Sequence, residues 1–245
     1  MRNPYINKSV RYNMKNEMLL PDTTACIQKF KETFRNVPLQ EIASLFQETS
    51  LQHYKKGTFI YRENTHISGC YFLYSGTVKI FQTGQTGKDQ IIRFGKEGDI
   101  FGFRSVIRNE PACTSVETLS DCVLCYIPNT TMTRMLMQSH VFSYEMMQIA
   151  CKELGDANRY IREIAQKSVK SRLAEVLLIF ADEFGTEPDG TLRFNVTRED
   201  LSNFVGTATE TLIRLLSELK AEGLVESRGR KITLLNIPGL KKIAE

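Results

Sequence analysis

The chain has 245 residues, of which 42% are hydrophobic and 24% charged, enough apolar material for a packed core and too much for wholesale disorder. Lys and Arg number 32 against 28 Asp and Glu, a net charge of +4, so bulk charge selects no partner. The longest apolar run, Val176 to Ala181, is far too short to span a bilayer, and the basic N-terminus (Arg2, Lys8, Arg11, Lys15) has no apolar stretch behind it; the expectation is a cytoplasmic protein with no membrane partner.

Residues 1–21 are polar and without period, which reads as a loosely held arm. Asp22-Thr23-Thr24 gives a helix N-cap, with Ile27, Phe30 and Phe34 recurring on one face, and a second short helix follows Pro38 through Ile42, Leu45 and Phe46. From about Leu51 to Pro128 the texture changes to short runs rich in Tyr, Phe, Ile, Val and Thr, punctuated by glycines such as Gly57, Gly76, Gly87 and Gly98. That pattern predicts a sandwich or barrel of antiparallel strands, with a hairpin connection over Gln82–Lys88.

A helix follows whose small or apolar positions, Met147, Cys151, Leu154, Asn158, Ile161, Ala165 and Ser168, are spaced 4-3-4-3-4-3. A heptad seam this narrow, flanked by Lys152, Glu153, Arg159, Arg162 and Glu163, covers a core poorly and suits a two-helix interface between copies of the chain, the alternative being a helix packed on its own domain. After Ser168, Arg172, Leu173, Val176, Leu177, Phe180 and Phe184 lie on one helix ended by Gly185 and Pro188, followed by a strand-like stretch, Thr191 to Val196.

The stretch from Thr197 to Asn236 carries the most information. Thr197 caps a helix through Val205, Gly206 breaks it, and a second helix starts at Thr207 or Ala208, the signature of a helix-turn-helix. Leu201, Phe204, Val205, Leu212, Leu215, Leu216 and Leu219 form its small core, leaving Thr209, Glu210, Ile213 and Arg214 on an outward face. Arg214 can pair with guanine O6 and N7, Glu210 can accept from cytosine N4, and Thr209 and Ile213 can touch a thymine methyl. The competing reading is a surface ion pair between Glu210 and Arg214 at i,i+4 spacing. Leu224–Glu226 and Lys231–Leu235 read as two strands joined by Ser227-Arg228-Gly229-Arg230, a basic wing. From Ser168 onward there are 11 Lys and Arg against 12 Asp and Glu, so phosphate binding depends on placement. The candidate phosphate contacts are Thr197, Arg198, Ala208, Thr211, Arg228, Arg230 and Lys231.

Past about residue 20 the chain resembles the cyclic-AMP receptor protein / fumarate–nitrate reduction regulator (Crp/Fnr) superfamily. The resemblance rests on Thr197-Arg198-Glu199-Asp200, Val205-Gly206, Glu210-Thr211 and Arg214, with Arg228-Gly229-Arg230 and Ile232 in the wing. Gly57, Gly76-Thr77-Val78-Lys79, Gly87-Lys88, Gly98-Asp99-Ile100 and Gly102-Phe103 carry it in the sensory part. It implies an α+β chain with a β-roll effector domain of the cyclic-nucleotide-binding jelly-roll type, a long dimerisation helix and a C-terminal winged helix-turn-helix. The corresponding expectation is an arm over 1–21, the effector domain with flanking helices over 22–137, the dimerisation helix over 138–167 and the DNA-binding domain over 168–245. It further implies a homodimer on a near-palindromic site with a TGA-type half-site core read by Glu210 and Arg214, acting with RNA polymerase. The cyclic-AMP receptor's additional recognition arginine falls on Thr209.

The effector region departs from that pattern. Gly102 is followed by Phe103 where the cyclic-AMP binders have a ribose-binding Glu shortly afterwards, and their phosphate-binding Arg-Ser pair is replaced within Pro111-Ala112-Cys113-Thr114-Ser115. Burying a phosphate without its Arg costs several kcal/mol, which argues against cyclic AMP and for an unidentified small-molecule or redox signal at Phe103, Arg104, Cys113, Thr114 and Ser115. Cys125 stands where the oxygen-sensing branch keeps a cluster ligand, but only Cys26 lies near the N-terminus, and Cys122 and Cys125 point to opposite faces of a strand. The thiols therefore read as reduced, buried small hydrophobes, with Cys113 as the redox candidate, and no metal site or cofactor is assigned. His53, His66 and His140 show no ligand spacing, and no nucleophile–base pair or paired-carboxylate site points to an enzyme. The alternative function is a small-molecule-binding module that regulates a protein partner without reading DNA.

Overall fold

The computed structural model describes residues 21–245, with the backbone of two short pieces before them. The arm expected over 1–21 lies outside the described residues except for those pieces and Pro21; the pieces, β1 (Arg11–Tyr12) and β2 (Met18–Leu19), pair antiparallel. Two compact units divide the chain, one of residues 1–82 and 92–151 and the other of 83–91 and 152–245.

In the first unit, α1 (Thr23–Thr33) starts at Asp22, whose side chain accepts from Ala25 N at 2.7 Å. Its buried face carries Cys26 and Phe30, and Phe30 stacks on Phe34 with ring centroids 4.3 Å apart. The short α2 (Leu39–Phe46) follows Pro38 and buries Ile42, Leu45 and Phe46. The strands are β3 (Ser50–Tyr54), β4 (Phe59–Tyr61), β5 (Gly69–Ser75), β6 (Val78–Thr83), β7 (Asp89–Gly95), β8 (Ile100–Phe101), β9 (Ser115–Thr118) and β10 (Cys122–Pro128). They form two four-stranded sheets, ordered β3-β10-β5-β8 and β4-β9-β6-β7. Helix α3 (Phe103–Arg108) interrupts the strands, and α4 (Asn129–Gln138) follows them.

Alternation along the strands builds two cores. Leu73, Phe101, Cys122 and Leu124 from one sheet join Tyr61, Val78, Ile80 and Val116 from the other. Phe72, Cys125 and Ile127 face the helices, where Cys26, Phe30, Phe103, Met132 and Phe142 close over them. Cys122 and Cys125 accordingly lie in different cores, as their odd spacing requires.

Helix α5 (His140–Gln166) runs from the first unit into the second. There, α6 (Val169–Phe184) is capped by Ser168 and ends at Gly185, α7 (Arg198–Val205) ends at Gly206, and α8 (Thr209–Ala221) precedes the hairpin of β11 (Val225–Arg228) and β12 (Lys231–Leu234). Helix α9 (Ile237–Ala244) closes the chain. Leu173, Leu177, Leu201, Val205, Leu212, Leu216 and Leu219 are buried, and Phe204 stacks on Phe180 at 5.9 Å. The strand expected over Thr191–Val196 is absent: Thr191 and Leu192 make only isolated bridges. Phe194 instead stacks on Phe184 at 4.0 Å, so burial of its side chain takes the place of a ladder. No helix among the described residues is long and apolar enough to cross a membrane.

Candidate nucleic-acid interface

Local capping chemistry sets the two helices of the motif. Thr197 Oγ1 accepts from Asp200 N at 2.9 Å and donates to Asp200 Oδ2 at 2.6 Å, which fixes the first turn of α7. Gly206 takes φ +75°, a left-handed conformation that lets the chain turn sharply into α8, for which Ala208 is the N-cap residue. Ala208 has no side-chain cap, so the amides at that helix start are open to an acceptor such as a phosphate oxygen.

On α8 the side chains of Glu210, Ile213 and Arg214 are exposed. Thr209 differs: it is half-buried, and its hydroxyl lies 3.0 Å from Ser202 Oγ, which joins α7 to α8 from the inside. Arg214 Nη1 pairs with Glu218 one turn further on, so the surface pair at this face is 214–218 and not 210–214. Thr211 is half-buried on the same first turn.

Arg198, the first residue of α7, reaches the wing. Its Nη2 donates to Ser227 Oγ at 2.6 Å and to Gly229 O at 2.8 Å, and its Nη1 is buried with no hydrogen-bond partner among the described residues. Burial holds this guanidinium below the usual arginine range. At the tip, Arg228, Arg230 and Lys231 are exposed, and Gly229 adopts φ +57°. Glu226 is drawn back by Lys220 at 2.6 Å, and that bond holds its carboxyl below the ordinary carboxylate range. Arg228 Nε also lies 3.9 Å from the same Glu226 oxygen, so this one acid is shared by two cations while Arg230 and Lys231 stay exposed, which is how a charge-balanced unit presents a basic edge.

The seam positions Met147, Cys151, Leu154, Asn158, Ile161 and Ala165 are all exposed on α5. Leu154 and Ile161 are 62% and 66% exposed, values that an apolar side chain in a single chain's core never shows.

The residues assigned to the effector do not form one cluster. Phe103 is buried among the helices, Arg104 is exposed on α3, and Ala112 and Val116, which bracket Cys113–Ser115, pack between the sheets. Cys113 O accepts from Gln82 Nε2 at 2.7 Å, and Ser115 Oγ accepts from Glu63 N at 2.9 Å. Thr114 bonds to the Tyr61 phenol, which burial raises well above its ordinary value. Tyr71 stacks on Phe101 at 5.8 Å and lies 6.0 Å from Tyr61. Arg93 is held by Asp99 at 3.1 Å. Aromatic rings of Tyr61, Tyr71 and Phe101 thus fill the space beside Thr114. Cys26 and Cys125 do meet, and their mutual hydrogen bond together with burial pushes the Cys125 thiol far up. Among the described residues, no group of three or more His, Cys, Asp or Glu side chains could hold a metal ion.

The sequence points to the exposed Glu210, Ile213 and Arg214 and to the hairpin, but gives no role to Ser227 as a partner of Arg198. Nor does it show that Arg172 reaches the turn; a single cation within the apolar face of α6 was the available signal.

Comparison with known proteins matches residues 51–139 to the cyclic nucleotide-binding domain and residues 171–243 to the Crp-like helix-turn-helix domain. The chain is 25% identical to electron transport regulator A of Shewanella oneidensis, over 78% of this chain and 76% of that one. It is equally 25% identical to the fumarate and nitrate reduction regulatory protein of Escherichia coli K12, with the same coverage. A crystal structure of a Crp/Fnr-family transcriptional regulator from Eubacterium rectale shares the fold, with a TM-score of 0.72 at 22% identity over 88% of this chain and 98% of that one.

Proposed function

The chain belongs to the Crp/Fnr superfamily of DNA-binding transcriptional regulators, and on that premise we propose that it acts as a homodimer on a palindromic site with a TGA-type half-site core. Each copy lays α8 into a major groove, with the half-sites about one helical turn, roughly 34 Å, apart. Glu210 and Arg214 read base edges, and Ile213 contacts a thymine methyl. Thr197, Arg198, the amide end at Ala208, Thr211, Arg228, Arg230 and Lys231 bind phosphates and set the register. The observation that carries this reading is the exposed Glu210–Ile213–Arg214 face beside a wing whose cations project outward. RNA polymerase is the proposed downstream partner.

The two copies meet through Met147, Cys151, Leu154, Asn158, Ile161 and Ala165, a seam whose exposed apolar groups gain burial only against another helix. A small-molecule or redox signal received near Phe103, Arg104 and Cys113–Ser115 shifts the packing of that seam and so the spacing of the reading helices. Cyclic AMP is not the proposed signal, given the aromatic filling around Tyr61 and Tyr71. The module that regulates a protein partner without reading DNA is not favoured, because Glu210 and Arg214 give the face a polar surface unsuited to a dry protein contact.

Fluorescence anisotropy at fixed salt tests the proposal. The expected result is a steeper affinity for TGA-containing palindromes than for random duplex of equal length. Equal affinity for both duplexes would sink it.

A further inference from the structure

The carbonyls at the end of a helix lack partners within it. At the end of α7 and in the turn beyond, four main-chain oxygens each accept a side chain from outside α7 and α8. Gln90 Nε2 donates to Asn203 O, and also to Tyr160 Oη at 2.6 Å. Arg172 Nε donates to Val205 O at 3.0 Å, and its Nη2 reaches Gly206 O at 3.4 Å. Lys88 Nζ donates to Thr207 O at 2.6 Å. All of these residues belong to the second unit, which includes the hairpin tip 83–91.

Electrostatics favours this arrangement. The C-terminal end of a helix carries partial negative charge, and two of the three donors are cations. Packing is close as well: a Cβ added at Gly206 would lie 3.7 Å from Gln90 Oε1, 3.8 Å from Tyr160 Oη and 3.9 Å from Ile164 Cδ1. Arg172 has a third bond, from Nη1 to Lys167 O at 2.9 Å, one residue beyond α5. The turn is therefore gripped from two directions, by the hairpin tip and by Arg172 in the first turn of α6, itself anchored on Lys167 O.

We propose that Lys88, Gln90 and Arg172 are positioning residues for the recognition helix α8, holding the 203–207 turn at the angle from which Glu210 and Arg214 meet a duplex. The proposal rests on the DNA-binding reading above. Ser202 and Thr209 already lock α7 to α8, so the two helices turn as a body, and the external donors on the turn set that body's direction. Two heads on one palindrome must both be aimed correctly, whereas one head on random duplex adapts freely.

The test uses the full chain and the variants Gln90→Ala, Lys88→Ala and Lys88→Arg. Amide hydrogen exchange without DNA is followed over 203–208, and anisotropy is measured on a TGA palindrome and on random duplex at several salt concentrations. In Gln90→Ala and Lys88→Ala, exchange is expected to quicken over 203–208 and palindrome affinity to fall about tenfold, with random-duplex affinity unchanged. Lys88→Arg, which keeps the donor, restores both. Unchanged exchange in both alanine variants overturns the proposal. So does a loss shared equally by both duplexes with a salt slope lower by about one in Lys88→Ala, which would make Lys88 a phosphate contact. If wild-type protein prefers no palindrome, the DNA reading fails by itself, and the exchange comparison still decides whether these donors hold the turn. Lys88 is exposed, so its variants keep the test alive where Gln90→Ala disturbs folding.

Discussion

Arg198 at the start of α7 holds Gly229 at the tip of the wing, through a 2.8 Å bond from its Nη2 to the glycine carbonyl. One side chain thus ties the first turn of the helix-turn-helix to the hairpin that follows it, while its Nη1 is buried with no hydrogen-bond partner among the described residues. Arg198→Ala removes the tie. The expected loss is about 1.5–3 kcal/mol on every sequence alike, as for hydrogen bonds to a charged group. Hydrogen exchange in 227–231 should quicken in the same variant; if it does not, Arg198 does not hold the wing.

Arg214 must leave Glu218 to reach a base. Arg214→Ala is expected to cost about 1–3 kcal/mol at one base position of the half-site, whereas Arg230→Ala should weaken all sequences to the same degree. Glu218→Gln releases the guanidinium from an exposed pair and should tighten the palindrome by roughly 0.3–0.5 kcal/mol. A base-substitution series over the half-site, measured with each variant, separates these three outcomes.

The seam gives a prediction about association. Ile161→Glu places a charge where two-thirds of an isoleucine side chain is exposed, so the chain itself should fold as before. Sedimentation at micromolar concentration is expected to show a dimer for the wild type and a monomer for the variant, with unchanged helical circular dichroism. A wild-type monomer at that concentration would rule out the seam as a stable interface between copies.

Burial raises the Cys70 thiol to about 12 and the Cys122 thiol to about 11, from 9.0 in the unfolded chain. Their protonated forms are the ones the fold holds. This contribution is fully present below pH 9 and is lost as pH rises through the folded values. The melting temperature should therefore drop between pH 9 and 11, and drop less in Cys122→Ala, although that variant starts lower because of the cavity. At pH 8, alkylation of the native protein should reach Cys113, reach Cys151 in the Ile161→Glu variant, where no second copy covers it, and spare Cys26, Cys70, Cys122 and Cys125 until denaturant is added.

Gly76 makes the connection from β5 to β6 at φ +100°, and a Cβ there would meet Asp121 O and Cys122 Sγ, each at 2.6 Å. Gly76→Ala combines backbone strain with a clash against main chain. A loss of at least about 2 kcal/mol is expected by denaturant titration.

Much of this was legible in sequence because it is local. Asp22 and Thr197 announce helices through their own side-chain oxygens, and Gly206 announces the break between α7 and α8, whereas the Ser168 cap of α6 emerges only in the structure. The 4-3 spacing in α5 needs no partner to be seen. What could not be read depends on where distant segments meet. That the Thr209 hydroxyl lies 3.0 Å from Ser202 Oγ depends on the turn between α7 and α8. Phe194 and Val196 alternate like a strand, but Phe180 and Phe184 bury Phe194 before any neighbouring strand can pair with it. Phe103 and Ser115 stand only 12 residues apart, yet Phe103 opens α3 and packs among the helices, whereas Ser115 lies at the start of β9.

The grip on the turn uses acceptors that every amino acid supplies. Asn203, Val205, Gly206 and Thr207 contribute carbonyl oxygens, while Glu210, Ile213 and Arg214 contribute none of the holding bonds. Aim and reading are thereby separable: a designer can rewrite the three outward side chains for a new operator without rebuilding the mount on which they sit.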